Sequence, residues 1–190
     1  MRTFIAIEIS EALKKILGQI EAHLKYAGAD VKWVNPDIIH LTLKFLGEIS
    51  EEKCEEVKSA LDDIAGSARP FELNIKDVGA FPKIDHPRVV WVGLDKGASE
   101  SKDLASRIDE ALSKIGFAKE ERPFSPHLTI GRVRSATNRG KLAEKISSAA
   151  ANFELSAIVP HQVLLVILFQ STLTPQGPIY TKLHEARFSK

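Results

Sequence analysis

A four-residue pattern, in which a histidine and a threonine alternate with apolar residues, occurs twice in the chain. It reads HLTL at residues 40–43 and HLTI at residues 127–130. The composition predicts roughly 0.04 copies of such a pattern by chance, so two copies are a strong signal. Because side chains alternate between the faces of a strand, each copy would direct its histidine and threonine to one side and its apolar pair to a core.

Two histidines and two threonines that face one groove would suit the chemistry of a phosphodiester. A histidine with an ordinary pKa of about 6.5 can give or take a proton near neutrality, so a pair supplies a general acid and a general base. Threonine hydroxyls can hydrogen-bond the non-bridging oxygens of a phosphate. Arg132 follows the second copy closely and can add positive charge. The pattern therefore predicts His40 and His127 as catalysts, with Thr42, Thr129 and Arg132 as phosphate ligands.

A zinc site is the competing chemical interpretation of the paired histidines. Zinc sites in proteins use three or four protein ligands, whereas each copy of the pattern offers a single histidine. His86 and His161 stand alone in the sequence, and Asp85 completes no recognisable ligand set. Packing would explain one strand histidine but explains two identical copies poorly. We therefore expect acid–base chemistry with no metal and no cofactor.

The bulk composition says little about partners, but one stretch is strongly basic. The chain has 190 residues, a hydrophobic fraction of 44 %, a charged fraction of 27 % and a net charge of +1, which is ordinary for a globular protein. Between residues 122 and 145 the only acidic residue is Glu144. The basic residues there are Arg122, Arg132, Arg134, Arg139, Lys141 and Lys145. Such a strip either attracts phosphates or forms a solvated surface.

Several features of the sequence indicate a cytoplasmic protein. Cys54 is the single cysteine, so no intrachain disulfide can form, which suits a reducing compartment. The N-terminal run lacks the apolar region and the cleavage site of a signal peptide. The longest apolar run, residues 163–169, is too short to cross a bilayer. We expect a monomer with no membrane association.

Strands and helices interleave along the chain and would present the repeated pattern. Alternating residues predict strands over 3–9, 31–34, 39–46, 71–78, 88–94, 127–133, 156–170 and 179–188, with a turn at 174–178. Helical spacing predicts helices over 12–24, 50–64, 100–115 and 140–150. Alternating strands favour antiparallel sheets with one wet face. No linker divides residues 1–190 and no nucleotide-binding glycine motif is present, so we expect one α+β domain.

Around the repeated pattern the sequence resembles the two-histidine (2H) phosphoesterases, specifically the LigT-like RNA 2′,3′-cyclic phosphodiesterases, long called 2′-5′ RNA ligases. The resemblance extends over essentially the whole chain. Six segments carry it: RTFIAI at 2–7, WVNP at 33–36, HLTLKFLGE at 40–48, RVVWVG at 88–93, FSPHLTIGR at 124–132 and STLTPQGPIY at 171–180. The repeated pattern is its specific element, and the terminal segments mainly support the fold.

The resemblance implies a bilobal fold, in which two antiparallel sheets face a central cleft, helices lie outside and the halves are related by an approximate two-fold axis. It also implies a metal-independent reaction that opens the 2′,3′-cyclic phosphate at an RNA end, for example of a tRNA fragment, to a 2′-phosphate. His40 would protonate the leaving 3′ oxygen and His127 would activate water, while Thr42, Thr129 and Arg132 hold the phosphate. A weak reverse reaction that joins ends through a 2′-5′ linkage is implied as well.

The residues that contact the rest of an RNA, and the function itself, have alternatives. Phe4, Phe45 and Phe124 could stack on bases or belong to the core. Arg88 and Arg122 could reach the cleft or form surface ion pairs. One rival function is a non-catalytic RNA-binding module that uses the basic strip. Another keeps the chemistry but acts on small cyclic nucleotides or an ADP-ribose derivative.

Overall fold

The computed structural model describes residues 1–153, 155 and 160–189. Its strands are β1 (Arg2–Glu8), β2 (Val31–Trp33), β3 (His40–Glu48), β4 (Phe71–Leu73), β5 (Ile75–Lys83), β6 (His86–Leu94), β7 (His127–Val133), β8 (His161–Val163), β9 (Leu165–Thr174) and β10 (Gly177–Arg187). Its helices are α1 (Glu11–Lys25), α2 (Glu51–Ala65), α3 (Ala98–Lys114) and α4 (Arg139–Asn152), with a short 3₁₀ helix over Pro36–Ile38.

Two four-stranded antiparallel sheets carry the fold. The first sheet has the order β10-β9-β1-β3 and the second β2-β7-β6-β5, while β4 pairs with β8. Apart from the edge strands β2 and β10, the two halves of the chain repeat one order of elements: β1-α1-β3-α2-β4-β5 and then β6-α3-β7-α4-β8-β9. The last strand of each half joins the other half's sheet, since β5 pairs with β6 and β9 with β1. This exchange ties the two lobes together and confirms the predicted internal symmetry.

The two helices of the first half, α1 and α2, begin at serine N-caps, and each buries one apolar stripe. The side chain of Ser10 accepts a hydrogen bond from the Leu13 N–H at 3.3 Å, and that of Ser50 accepts one from the Lys53 N–H at 3.1 Å. The buried apolar stripe of α1 consists of Leu13, Leu17, Ile20 and Leu24. This spacing is that of an amphipathic helix lying on a core. In the described ranges no helix has the length and apolar character needed to span a bilayer.

The apolar positions of both motif copies enter one large core between the sheets and the helices. Leu41 and Leu128 are fully buried there, as alternation predicts. The first sheet also has a smaller apolar cluster on its other face, formed by Phe4, Ala6, Ile167 and Phe169. This second face of β1 and β9 thus holds a cluster of its own, separate from the large core.

The predicted strand over residues 71–78 is in fact two strands. β4 ends at Leu73 because the Asn74 N–H donates to the Lys96 carbonyl at 3.1 Å, and the Asn74 carbonyl accepts from the Asp95 N–H at 2.9 Å. β5 then continues past Val78 to residue 83, and β6 already begins at residue 86. The pattern missed this longer hairpin because its turn, residues 84–85, carries no glycine or proline signal.

The predicted strand over residues 156–170 is also divided. β8 begins at His161, a break follows at Leu164, and β9 runs on to Thr174. Residues 156–159 of the prediction lie outside the described residues. The turn between β9 and β10 is shorter than predicted, since it occupies only residues 175–176.

Candidate active site

The two motif histidines are oriented by the same kind of hydrogen bond. Nδ1 of His40 lies 2.8 Å from the carbonyl oxygen of Ile38, and Nδ1 of His127 lies 2.6 Å from that of Ser125. A carbonyl oxygen only accepts, so Nδ1 of each neutral ring carries the hydrogen. Each Nε2 therefore keeps its lone pair and can take a proton or, once protonated, give one. In both copies the acceptor is two residues before the histidine, so the local backbone sets the tautomer.

A β-bulge in β3 changes which residues face the site. Leu43 has no partner in β1, because Thr42 and Lys44 lie opposite consecutive residues of that strand. Leu43 and Lys44 are accordingly both buried on the helix side. The next residue, Phe45, returns to the face that carries His40 and Thr42.

A second bulge occupies the equivalent position of β7. Ile130 has no partner in β6, because Thr129 and Gly131 lie opposite consecutive residues of that strand. Arg132 consequently returns to the face of His127 and Thr129. Strict alternation would have placed Arg132 on the opposite face of the sheet. The bulge is what brings the predicted arginine to the histidine and threonine.

Aromatic rings surround His40 on the face of the first sheet that carries the smaller apolar cluster. Its imidazole stacks on the ring of Phe4 with centroids 4.8 Å apart and meets the ring of Tyr180 edge-on at 5.2 Å. Phe4 also stacks on Phe169 at 5.2 Å, and only 3 % of its surface is exposed. Of the two alternatives for Phe4, a base stack or the core, this packing favours the core, because the ring lies between His40 and Phe169.

The second sheet supports His127 with a different pair of rings. Phe81 meets the imidazole edge-on at 5.0 Å and lies against Trp91 at 5.2 Å. Trp91 is opposite Thr129 in the ladder, so it belongs to the same face. A Cβ atom at Gly79 would clash with the indole ring of Trp91. The glycine thus leaves the space in which Trp91 packs beneath the site.

The positive charge of Arg132 acts on ionisable groups of both sheets. Burial lowers the pKa of His127, and the charge of Arg132 lowers it further. Burial raises the pKa of Tyr180, against the opposing charges of Arg132 and Arg2. Since Tyr180 contacts His40, the guanidinium of the second lobe acts on groups beside both histidines. The strands β3 and β7 also contact each other, so the two motif copies lie in neighbouring strands.

The two histidines differ in their charged surroundings. Burial lowers the pKa of His40, while its backbone hydrogen bond and the carboxylate of Glu8 act in the opposite direction. Glu8 is itself held by Lys182, whose Nζ lies 2.7 Å from its carboxylate. His127 has Arg132 nearby in place of a carboxylate. The charges therefore favour a protonated His40 over a protonated His127.

The predicted phosphate ligands and the remaining RNA-contact candidates occupy different places. Thr42 and Thr129 are half-buried beside their histidines, and neither hydroxyl is engaged by another residue in the described part of the chain. Phe45 is 65 % exposed on the site face. Phe124 packs against the large core.

The two candidate arginines stay on the surface. Arg88 and Arg122 are exposed, and within the described ranges neither forms an ion pair. Arg88 lies in β6, and Arg122 lies in the segment before β7. Their availability is compatible with RNA contact, but among the described residues no contact connects either one to the histidines.

Three site residues were missed by sequence reasoning: Phe81, Phe169 and Tyr180. Tyr180 ends the STLTPQGPIY segment, so its neighbourhood had been noted without a role. Alternation in β9 would group Phe169 with Ile167. No local pattern shows that β9 crosses to pair with β1, however, and this pairing is what brings Phe169 to Phe4 and His40.

The site offers imidazole, hydroxyl and guanidinium groups to a ligand. Over residues 1–153, 155 and 160–189 no group of three or more His, Cys, Asp or Glu side chains is arranged to hold a metal ion. His184, which is distant in sequence from both motifs, contacts the carboxylate of Asp62 at 2.7 Å. The donor set at the site is suited to an anion that bears several oxygens.

Two facing antiparallel sheets, each presenting a histidine and a threonine from a bulged strand, define the protein as a two-histidine phosphoesterase. The model of one family within this class matches the chain twice, over residues 7–91 and over residues 92–180. These matches correspond closely to the two structural halves. The chain belongs to the LigT like phosphoesterase family.

Relatives of known name or structure align over nearly the whole chain. A protein of Methanothermobacter thermautotrophicus named RNA 2′,3′-cyclic phosphodiesterase is 39 % identical over 187 residues and covers 98 % of both chains. A crystal structure of a Thermus thermophilus protein superposes with a TM-score of 0.79 at 24 % identity, covering 99 % of this chain and 98 % of that one. Escherichia coli LigT complexed with 3′-AMP gives 0.69 at 25 % identity, with 100 % and 98 % covered.

Proposed function

We propose that this protein hydrolyses the terminal 2′,3′-cyclic phosphate of RNA to a 2′-phosphate. The observation that carries the proposal is the pair His40 and His127, whose Nδ1 atoms are both fixed by backbone carbonyls so that both Nε2 atoms are available. Relatives named RNA 2′,3′-cyclic phosphodiesterase, at 39 % and 37 % identity, support the same reaction. Membership of the family makes the protein a phosphoesterase, and the RNA end is the substrate its relatives' names indicate.

The charges beside the two histidines suggest how the roles are divided in the reaction. His127, next to Arg132, would act in its neutral form and take a proton from water as the water oxygen attacks phosphorus. The bond between phosphorus and the 3′ oxygen breaks. His40, whose protonated form is favoured by Glu8, gives its proton to that oxygen. The product is a free 3′-hydroxyl and a 2′-phosphate, and the two histidines end with exchanged protonation states.

The cyclic phosphate would be bound between the two motif copies. Thr42 and Thr129 donate hydroxyl hydrogens to its non-bridging oxygens, one from each lobe. Arg132 offers a guanidinium to the charge that grows on these oxygens during attack, where a charge-assisted hydrogen bond is strongest. Phe45, exposed on the same face as His40, would stack on the base of the terminal nucleotide.

The same site would permit a weak joining reaction. If the 5′-hydroxyl of another RNA takes the place of water, its oxygen bonds to phosphorus and the product is a 2′-5′ linkage. The proton transfers at His40 and His127 are unchanged. Water competes at far higher concentration, so hydrolysis is expected to dominate.

The proposal treats residues 1–190 as one bilobal domain that acts as a monomer. Both motif copies are needed for one site, and the exchanged strands β5 and β9 make each sheet from both halves. RNA ends with cyclic phosphates, such as those of tRNA fragments, are the substrates we propose, and the cytoplasm is where the enzyme would meet them. Arg88 and Arg122 remain candidates for contact with the RNA chain.

Two other functions make different demands on the site. A phosphodiesterase for small cyclic nucleotides would use the same histidines and would need no contact beyond one nucleotide. A non-catalytic RNA-binding module would have no use for two imidazoles whose tautomers are fixed in the same way. The fixed tautomers therefore favour catalysis over binding alone.

The test is incubation with an oligoribonucleotide that ends in a 2′,3′-cyclic phosphate, in the presence of EDTA, with identification of the product. His40→Ala and His127→Ala run alongside His86→Ala, a control in an exposed histidine at the start of β6. We expect a 2′-phosphate from the wild type and the control, and none from the two motif variants. Activity that returns only when a divalent metal is restored would refute the two-histidine mechanism. Retained RNA binding without turnover in the wild type would favour the binding module.

A further inference from the structure

Arg2 lies on the same face of the first sheet as the aromatic rings around His40. In β1, Ile5 and Ile7 enter the large core, whereas Phe4 and Ala6 form the smaller cluster on the opposite face. Alternation therefore places Arg2 on the face of Phe4. Both bulges in the pairing of β1 with β3 lie in β3. The side chains of β1 therefore alternate regularly between the two faces.

Arg2 has no carboxylate partner in the described part of the chain. Its neighbour across the ladder is Glu48, but the carboxylate of Glu48 is 3.2 Å from the amine of Met1. Arg2 is exposed, and within the described ranges it forms no ion pair. A guanidinium has five donors in a planar fork that fits the oxygens of a phosphate.

Arg2 is connected to the histidine site through Phe4 and Tyr180. It is two residues before Phe4 on the same face of β1, and Phe4 stacks on the imidazole of His40 with centroids 4.8 Å apart. The charge of Arg2 acts on the hydroxyl of Tyr180, as does that of Arg132, and Tyr180 meets His40 at 5.2 Å between ring centroids. In the ladder His40 lies opposite Glu8, at the other end of β1. Arg2 is therefore a cation that flanks the aromatic cluster, on the side away from the His40 backbone.

We propose that Arg2 binds the phosphate on the 5′ side of the terminal nucleotide while its 2′,3′-cyclic phosphate lies between His40 and His127. The proposal rests on the function given above and narrows its substrate class. Every RNA 3′ end carries that upstream phosphate, whereas a free nucleoside 2′,3′-cyclic phosphate does not. Arg2 would therefore make the enzyme prefer chain ends to cyclic mononucleotides.

The sharpest test changes only that phosphate. The substrates are adenosine 2′,3′-cyclic phosphate and the same molecule with a 5′-phosphate, measured as a ratio of kcat/KM. We expect the 5′-phosphate to raise kcat/KM about tenfold in the wild type, as one charge-assisted contact can do. In Arg2→Gln that ratio falls to near one. The control is Arg69→Gln, an exposed arginine between α2 and β4 with no ion pair in the described ranges, and it keeps the wild-type ratio.

A binding measurement keeps the proposal testable without turnover. Isothermal titration calorimetry compares adenosine 2′-monophosphate with adenosine 2′,5′-bisphosphate, and we expect Arg2→Gln to lose the advantage of the bisphosphate. The idea fails if Arg2→Gln keeps the wild-type ratio, or if it weakens both ligands equally, which would show a general structural effect. Failure of the proposed function looks different: neither cyclic substrate would be hydrolysed, while the preference for the bisphosphate could still be measured.

Discussion

Nζ of Lys44 lies 2.5 Å from the carboxylate of Asp109, and only 3 % of the lysine side chain is exposed. The same ammonium donates to the carbonyl of Ala118 at 2.9 Å. Lys44 directly follows the extra residue of the bulge in β3, so these contacts attach the bulge to α3 and to the segment leading towards β7. The arrangement positions Phe45 on the site face by holding its neighbour on the other face.

Lys44→Met is therefore expected to lower the free energy of unfolding by about 3 kcal/mol, because it leaves a largely buried carboxylate without its partner. Urea denaturation followed by circular dichroism measures the change. Lys44→Met/Asp109→Leu removes both charges and should recover most of the loss. Lys58→Met, which breaks the exposed pair with Glu55 on α2, is the control and should cost about 0.5 kcal/mol or less. An equal effect of Lys44→Met and Lys58→Met would contradict the anchoring role.

Phe4→Leu is expected to reduce kcat on the RNA substrate about tenfold, with a smaller change in KM. The ring supports the imidazole of His40 by stacking and also stabilises its protonated form through the aromatic face. Leucine keeps most of the buried volume but loses that face. Steady-state kinetics on the cyclic-phosphate oligonucleotide gives both parameters.

The matched control for Phe4 is Phe188→Leu. Phe188 is also a buried ring stacked on another phenylalanine, Phe71, with centroids 6.2 Å apart, and it lies outside the site. Both variants should lose similar stability, about 1 kcal/mol, as is usual for trimming a core side chain. Unchanged kcat in Phe4→Leu would mean that the stacking is structural only.

The pH dependence of kcat/KM should peak on the acidic side of pH 6.5. Burial lowers the pKa of both His40 and His127 from that value. The reaction needs one ring charged and one neutral, so activity falls above the two pKa values, where both rings are neutral, and below them, where both are charged. The profile of kcat should lie at higher pH, because a bound phosphate anion favours the protonated ring. A kcat/KM maximum above pH 8 would contradict the assignment.

Arg132→Gln is expected to act on the acidic limb of this pH profile. Burial is the largest cause of the lowered pKa of His127, and the positive charge of the guanidinium lowers that pKa further. Removing that charge should raise the pKa of His127 and move the acidic limb of kcat/KM to higher pH, besides lowering kcat. A profile of unchanged shape would mean that Arg132 acts on the substrate alone.

Much of the site could be predicted from the sequence because it depends on strand alternation. His40 with Thr42, and His127 with Thr129, share a face in any regular strand, and the repeat identified both strands. The position of Arg132 does not follow from strand alternation. Its place beside His127 depends on the bulge at Ile130, and a bulge depends on the pairing register with β6, which is a non-local property.

The aromatic rings around His40 likewise could not be assigned from local sequence patterns. Phe4 was weighed as a ring for a base or for the core, yet its partner His40 comes from β3 and its partner Phe169 from β9. Only the exchange of β9 into the first sheet creates this cluster. Similarly, Asn74 divides a run that alternates like a single strand, because its backbone pairs with the segment after β6. Local patterns fix the faces of strands, whereas the pairing of distant strands decides which faces meet.

Glu21→Gln is expected to stabilise the protein at neutral and alkaline pH. Glu21 is 1 % exposed on α1, its Oε1 has no hydrogen-bond partner in the described part of the chain, and Lys25 is 3.6 Å from Oε2. Burial raises the pKa of the carboxyl from 4.5 to about 7, against the opposing effect of Lys25.

The folded state therefore holds a proton that the unfolded state has already lost, so the wild type loses stability as pH rises from 4.5 towards 7. Glutamine has no such penalty, and its advantage should grow over that range to about 2 kcal/mol at pH 8 and vanish near pH 4. Thermal unfolding at several pH values measures this advantage, with Glu144→Gln, an exposed position on α4, as the control. A stabilisation that does not change between pH 4 and pH 8 would show that Glu21 does not titrate in this way.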